Sequence, residues 1–145
     1  MARLTTFTRN ATSVAQGAPV VVGPEGDSFT ITTRGFTDAY VDRLWALRRT
    51  ATIRYNTGLS ANETPVSPDA LPPSIEDGCV AQAMAEKCLI GVDGLDGDDG
   101  APVTIEQFCE LIQHRENRPL LALAMQAAGS VGRATKALLE SAEKN

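Results

Sequence analysis

The densest set of oxygen ligands in this 145-residue chain is "Asp93-Gly-Leu-Asp-Gly-Asp-Asp-Gly-Ala-Pro102", an acid and glycine run resembling a calcium loop. An EF-hand loop needs oxygen ligands at positions 1, 3 and 5, glycine at 6 and a bidentate Glu at 12. With Gly100 at position 6, Asp99 and Glu106 fall at 5 and 12, but positions 1 and 3 become Leu95 and Gly97. Starting at Asp96 keeps Asp98 at position 3, then puts Gly100 at 5, Ala101 at 6 and Gln107 at 12. No register supplies the ligand set. The run is therefore expected to be a solvated turn before a capped helix, and a calcium-dependent binding module is the weakest of three functional readings.

Other residues with chemical potential are scattered. His114 is the single histidine, with no serine or cysteine arrangement pointing to it, and is expected to interact with the negative end of its helix. Cys79, Cys88 and Cys109 are odd in number and form no CxxC pair, so neither a disulfide framework nor a zinc site is expected. Cys79 and Cys88 read as small buried apolar residues, since a reactive thiol wants basic neighbours and only Lys87 is at hand. The serines lack a G-x-S-x-G setting, and the glycines form neither a Walker loop nor a dinucleotide fingerprint. No catalytic residue, metal ligand set or cofactor is expected, and an enzyme is the disfavoured class.

The formal net charge of −5 argues against a nucleic-acid binder, whose affinity comes from neutralising phosphates. Charge is uneven: up to Tyr55 the chain carries net +3 and the remainder −8. That asymmetry would hold the two halves together, present two partner surfaces or simply solvate the chain. The N-terminus lacks a signal-peptide pattern and no run is long enough to span a membrane, so a reducing cytoplasm is expected. There the glycosylation-like triplets at Asn10 and Asn62 are chance matches.

Apolar periodicity predicts a single α+β domain, mainly α, with an N-terminal β-hairpin followed by a small bundle of four to five helices. Residues 1–17 read as a flexible arm or poorly formed edge strand, and 18–55 as the hairpin plus the first helix. The hairpin is "Ala18-Pro-Val-Val-Val-Gly23" and "Ser28-Phe-Thr-Ile-Thr-Thr33" around "Gly23-Pro-Glu-Gly-Asp27". Thr37 is expected to cap the first helix, with Phe36 and Val41 as its hydrophobic staple and Tyr40, Val41, Leu44, Trp45, Leu47 and Ala51 as one apolar stripe. Trp45 is expected in the core and Arg43, Arg48 and Arg49 in solvent. Residues 56–73 form a Pro-rich surface loop and 74–145 a helical assembly region. Ser74 is expected to cap the second helix, and "Thr104-Ile-Glu-Gln107" fits a capping box. Pro119 suits the first turn of a following helix, while Gly129 and Gly132 weaken its continuation into a separate or fraying tail from Thr135 to Asn145.

The order "Cys88-Leu-Ile-Gly-Val-Asp-Gly-Leu95", "Asp96-Gly-Asp-Asp-Gly100", "Ala101-Pro-Val-Thr104", a capped helix and "Pro119-Leu-Leu-Ala-Leu-Ala" resembles the tail assembly chaperones of long-tailed bacteriophages. The stretch "Thr33-Arg-Gly-Phe-Thr-Asp-Ala-Tyr40" is similar to the entrance of the first helix in some phage proteins of this type. Many members carry Trp before the acidic turn, where this chain has "Gly91-Val92-Asp93". The resemblance implies a non-enzymatic protein of the host cytoplasm. Its partners would be the tape-measure and tail-tube proteins, with self-association possible and no nucleic acid or membrane involved. Candidate partner contacts are Leu120, Leu121, Leu123 and Met125, for which burial in the chain's own core is the competing reading. The alternative function is a virion structural protein, such as a neck, tail-completion or capsid-associated subunit, whose hairpin and arm pair with neighbouring copies.

Overall fold

The computed structural model describes residues 1–133. Helices α1 (Leu4–Phe7) and α2 (Ala11–Gln16) precede strands β1 (Ala18–Val22) and β2 (Phe29–Thr33). Helix α3 (Asp38–Thr57), a 3-10 turn (Pro68–Ala70) and α4 (Pro73–Lys87) follow. Strand β3 (Leu89–Asp93), α5 (Ile105–Leu111), a second 3-10 turn (Arg115–Asn117) and α6 (Arg118–Ser130) complete the described chain. The fold is α+β and mainly α, as the periodicity predicts, while the tail from Thr135 to Asn145 lies outside the described residues.

The hairpin does not stand alone. β2 is the middle of a three-stranded antiparallel sheet, with Val22 opposite Phe29 on one side and Ile31 opposite Val92 on the other. The run after Cys88 is thus the third strand. A register irregularity between Thr32 and Thr33 turns Leu89 inward and leaves Ile90 exposed. Val22, Phe29 and Ile31 line the buried sheet face and share one core with Met84 of α4, Phe108 of α5, Ile112 just after it, and Leu121 and Ala124 of α6. Phe108 is fully buried, its ring edge-on to Phe29 at 6.2 Å. Burying a side chain of this size contributes roughly 1.5–3 kcal/mol.

Local chemistry sets the element ends. Thr104 and Gln107 form a complete capping box, the Thr104 hydroxyl accepting from the Gln107 N–H at 3.2 Å and the Gln107 amide oxygen from the Thr104 N–H at 3.0 Å. Thr37 caps α3 through the Tyr40 N–H, but Phe36 meets the Tyr40 ring at 5.0 Å and remains exposed together with Val41. Ser74 is not a cap. Helix α4 starts one residue earlier at Pro73, whose fixed φ suits a first helical position. Pro119 occupies the first turn of α6, as expected.

Two segments are more structured than their composition suggests. The arm contains α1 and α2 rather than an edge strand; the Asn10 side chain caps α2 through the Ser13 N–H, and the Asn10 N–H donates to the Gly132 carbonyl. Gly17 then permits the turn into β1 with φ +92°, and a side chain there would collide with Ile90 Cδ1. The Pro-rich segment is a surface loop, but Asn56 closes it by donating to the Val66 carbonyl and accepting from the Val66 N–H, while Leu71 plugs into the core.

Candidate functional site

The acidic run is a short reversal built by its own backbone. Val103 N–H donates to the Leu95 carbonyl, Asp96 bridges Pro102, and Gly97 N–H donates to the Ala101 carbonyl. Gly100 supplies the positive φ of the turn, and one Asp99 carboxylate oxygen accepts from the Ala101 N–H. Asp99 is thereby engaged with its own loop. Among the described residues no group of three or more His, Cys, Asp and Glu side chains could hold a metal ion. His114 lines a shallow depression with Asp99, Gln107 and Glu110, and among the described residues its imidazole has no hydrogen-bond or ion-pair partner.

The three thiols are free, with Cys79 and Cys88 buried and Cys109 half-buried. Burial pushes all three upward in pKa, Cys88 to about 11, which disfavours the thiolate that nucleophilic chemistry needs. Burial also raises the Tyr40 hydroxyl to about 12.

Charged residues instead join two helices. Helix α3 rests on α4 and the first 3-10 turn, outside the layer that covers the sheet. Arg48 grips the Glu76 carboxylate from Nε at 2.9 and 3.0 Å, with Nη2 on Glu76 Oε1 as well. Arg43 reaches Glu86 through Nε and Nη2, and this pairing holds the Glu86 carboxyl below its ordinary value. The basic excess of the first half thus meets acids of the second, and Arg43 and Arg48 are paired rather than simply solvated. Asp77 on α4 similarly meets Arg118 on α6 at 3.1 Å.

The four candidate partner contacts divide. Leu121 is buried in the core, as the competing reading has it, and Leu120 and Leu123 pack against the same core. Of the four, only Met125 is exposed, at 38%. The alternation of α6 around its axis places Leu121, Ala124 and Ala128 toward the sheet, and the one-dimensional leucine run conceals that side.

Apolar exposure lies elsewhere. On α3 the expected single stripe splits into two: Tyr40, Leu44, Leu47 and Ala51 face the core side, whereas Val41 (41%), Trp45 (37%) and Ile53 (70%) are exposed. Trp45 is not a core anchor; its ring lies under the Arg48 guanidinium at 4.8 Å. The signal was present in the sequence, because Val41, Trp45, Arg49 and Ile53 recur every four residues, a separate ridge from the Tyr40 and Leu44 pair. Met1, Leu4 and Phe7 on the arm and Val21 on the uncovered sheet face are also exposed. No helix among the described residues is long and apolar enough to cross a membrane. No protein-family model, curated protein or solved structure matches the chain.

Proposed function

We propose that this protein is a bacteriophage tail assembly chaperone, a non-enzymatic binder that keeps the tape-measure and tail-tube proteins productive during tail assembly in the host cytoplasm. The observation that carries this reading is the set of large apolar side chains left on the surface: Val41, Trp45 and Ile53 on α3, and Leu4 and Phe7 on the arm. Such side chains offer an aggregation-prone helical partner apolar area, and aromatic residues are enriched where proteins meet. The raised thiol pKa values and the self-satisfied acidic turn support binding over chemistry.

Co-expression with the tape-measure protein of the same phage tests the reading. The expected result is a larger soluble fraction of tape-measure protein and its co-purification with this chain, both reduced by Trp45→Glu. A tape-measure gene immediately downstream, with a slippery frameshift sequence near the stop codon, is the expected gene context. The virion structural reading has one observation in its favour, the edge strand β1 with Val21 69% exposed, which suits strand addition by a neighbouring copy. Mass spectrometry of purified particles separates the two: stoichiometric copy number would overturn the chaperone reading.

A further inference from the structure

The charges of α3 sort into two groups. Arg43 and Arg48 are committed to Glu86 and Glu76 on α4. Asp38, Asp42, Arg49 and Arg54 are exposed, and among the described residues none of them has an ion-pair partner. Both free acids lie in the N-terminal half of the helix and both free bases in the C-terminal half. Compensation of the helix dipole accounts for Asp38 in the first turn and Arg54 in the last, but that effect fades within a turn. Asp42 and Arg49 are left without a local role. Between these ends run the exposed side chains of Val41, Trp45 and Ile53.

We infer that α3 is a self-association surface on which two copies of the chain pair their α3 helices antiparallel about a two-fold axis at the level of Leu47. The ridge is centred there, so the pairing sets Val41 against the second copy's Ile53 and Trp45 against its Arg49. It also brings Asp42 within one helical turn of the second copy's Arg49, twice by symmetry. A parallel pairing would set acid against acid and base against base. The patch is therefore its own electrostatic complement, which a surface shaped for an unrelated partner has no need to be. A shallow depression of about 390 Å³ lined by Thr50, Ile53, Arg54 and Thr57 borders the ridge at Ile53, the residue that the second copy's Val41 would face. Two helices of this length side by side bury on the order of 1,000 Å² in total, near the lower bound for a specific interface, so the dimer is weak and concentration-dependent. The pairing uses the same α3 side chains that the proposed function offers to a tape-measure partner, so a second copy and that partner would compete for them, and the experiment below reads the pairing alone.

Sedimentation velocity on the full chain, from about 5 µM to about 500 µM, tests the pairing by mass action. The wild-type chain should pass from monomer to dimer over that range. Asp42→Arg and Arg49→Asp, both at exposed positions, should each weaken the dimer at least about tenfold by placing like charges opposite one another, with thermal unfolding unchanged. An equimolar mixture of the two variants should dimerise again, because every facing pair then becomes Arg against Asp. Ile53→Glu, which alters the ridge and not the charged pair, should weaken the dimer as well. A wild-type chain that stays monomeric, single variants that dimerise as tightly as wild type, or a mixture that stays monomeric would each overturn the inference.

Discussion

The layer covering the sheet and the outer α3 layer are both helical, yet they are held by different physics. In the first, Phe108, Met84 and Ile112 are almost wholly removed from water, as is Ile31 of the sheet beneath them, and they pack in one core with small residues such as Ala83, Ala124 and Ala127. In the second, a few buried side chains, Tyr40, Leu44 and Thr52, are flanked by the Arg43–Glu86 and Arg48–Glu76 pairs, whose side chains keep between 20% and 38% of their exposure. Apolar contact between close-packed side chains is not subject to ionic screening, whereas partly exposed ion pairs are. The comparison separates the region that sets global stability from the region that can respond to conditions or to a partner.

The largest expected effect is in the first layer. Phe108→Ala should destabilise the fold by about 3–5 kcal/mol, because it removes a fully buried ring and leaves Phe29 without its edge contact. Since a domain's whole stability is about 5–15 kcal/mol, the shift in urea midpoint would be unmistakable, and a small shift would show that this core is not the main support. Alkaline pH probes the same region. The Cys88 thiol stays protonated in the fold to about pH 11, while in the unfolded chain it ionises near its ordinary 9.0. Its contribution is complete below that ordinary value and is lost as pH rises through the folded one. Stability should fall between pH 9.0 and about 11, less so in Cys88→Ala, as read by denaturation at each pH.

Smaller effects follow outward. Thr104→Ala should cost about 1 kcal/mol by removing the hydroxyl that satisfies the Gln107 N–H. Arg48→Ala should cost about 1 kcal/mol or less, with the loss concentrated in α3. Hydrogen exchange would then quicken in residues 38–57 while the sheet stays protected; uniform loss of protection would mean that the two layers unfold as one. The smallest change is the acid response of the Arg43–Glu86 pair. The Glu86 carboxyl is held below its ordinary value, so its contribution is present above the unfolded-state pKa and disappears as pH falls through the folded one. Salt should mask this response in the wild-type chain, and Glu86→Gln should remove it.

Much of the fold was legible because its signals are local. The Thr104 and Gln107 box, the Thr37 cap, the turn between β1 and β2 and Pro119 at the start of α6 each depend on residues a few positions apart. The third strand was hidden because Leu89–Asp93 becomes a strand only by pairing with β2, nearly sixty residues upstream in register. The arm's α2 carried a readable cap in Asn10, obscured by weak periodicity around it. The candidate surface was half legible: the four-residue recurrence of Val41, Trp45, Arg49 and Ile53 is in the sequence, but nothing local says which of the two apolar stripes of α3 meets α4.

What the sequence by itself determined was where α3, α5 and α6 begin and where the hairpin turns, that the charge is split between halves, and that no register of the acidic run makes an EF-hand. Periodicity, capping and ligand spacing are properties of neighbouring residues. Tertiary structure alone decided that Leu121 is core and Trp45 is surface, and that Arg43 and Arg48 answer Glu86 and Glu76 across two helices. An amphipathic pattern gives a helix its faces, but only the elements packed against it choose which face leaves water.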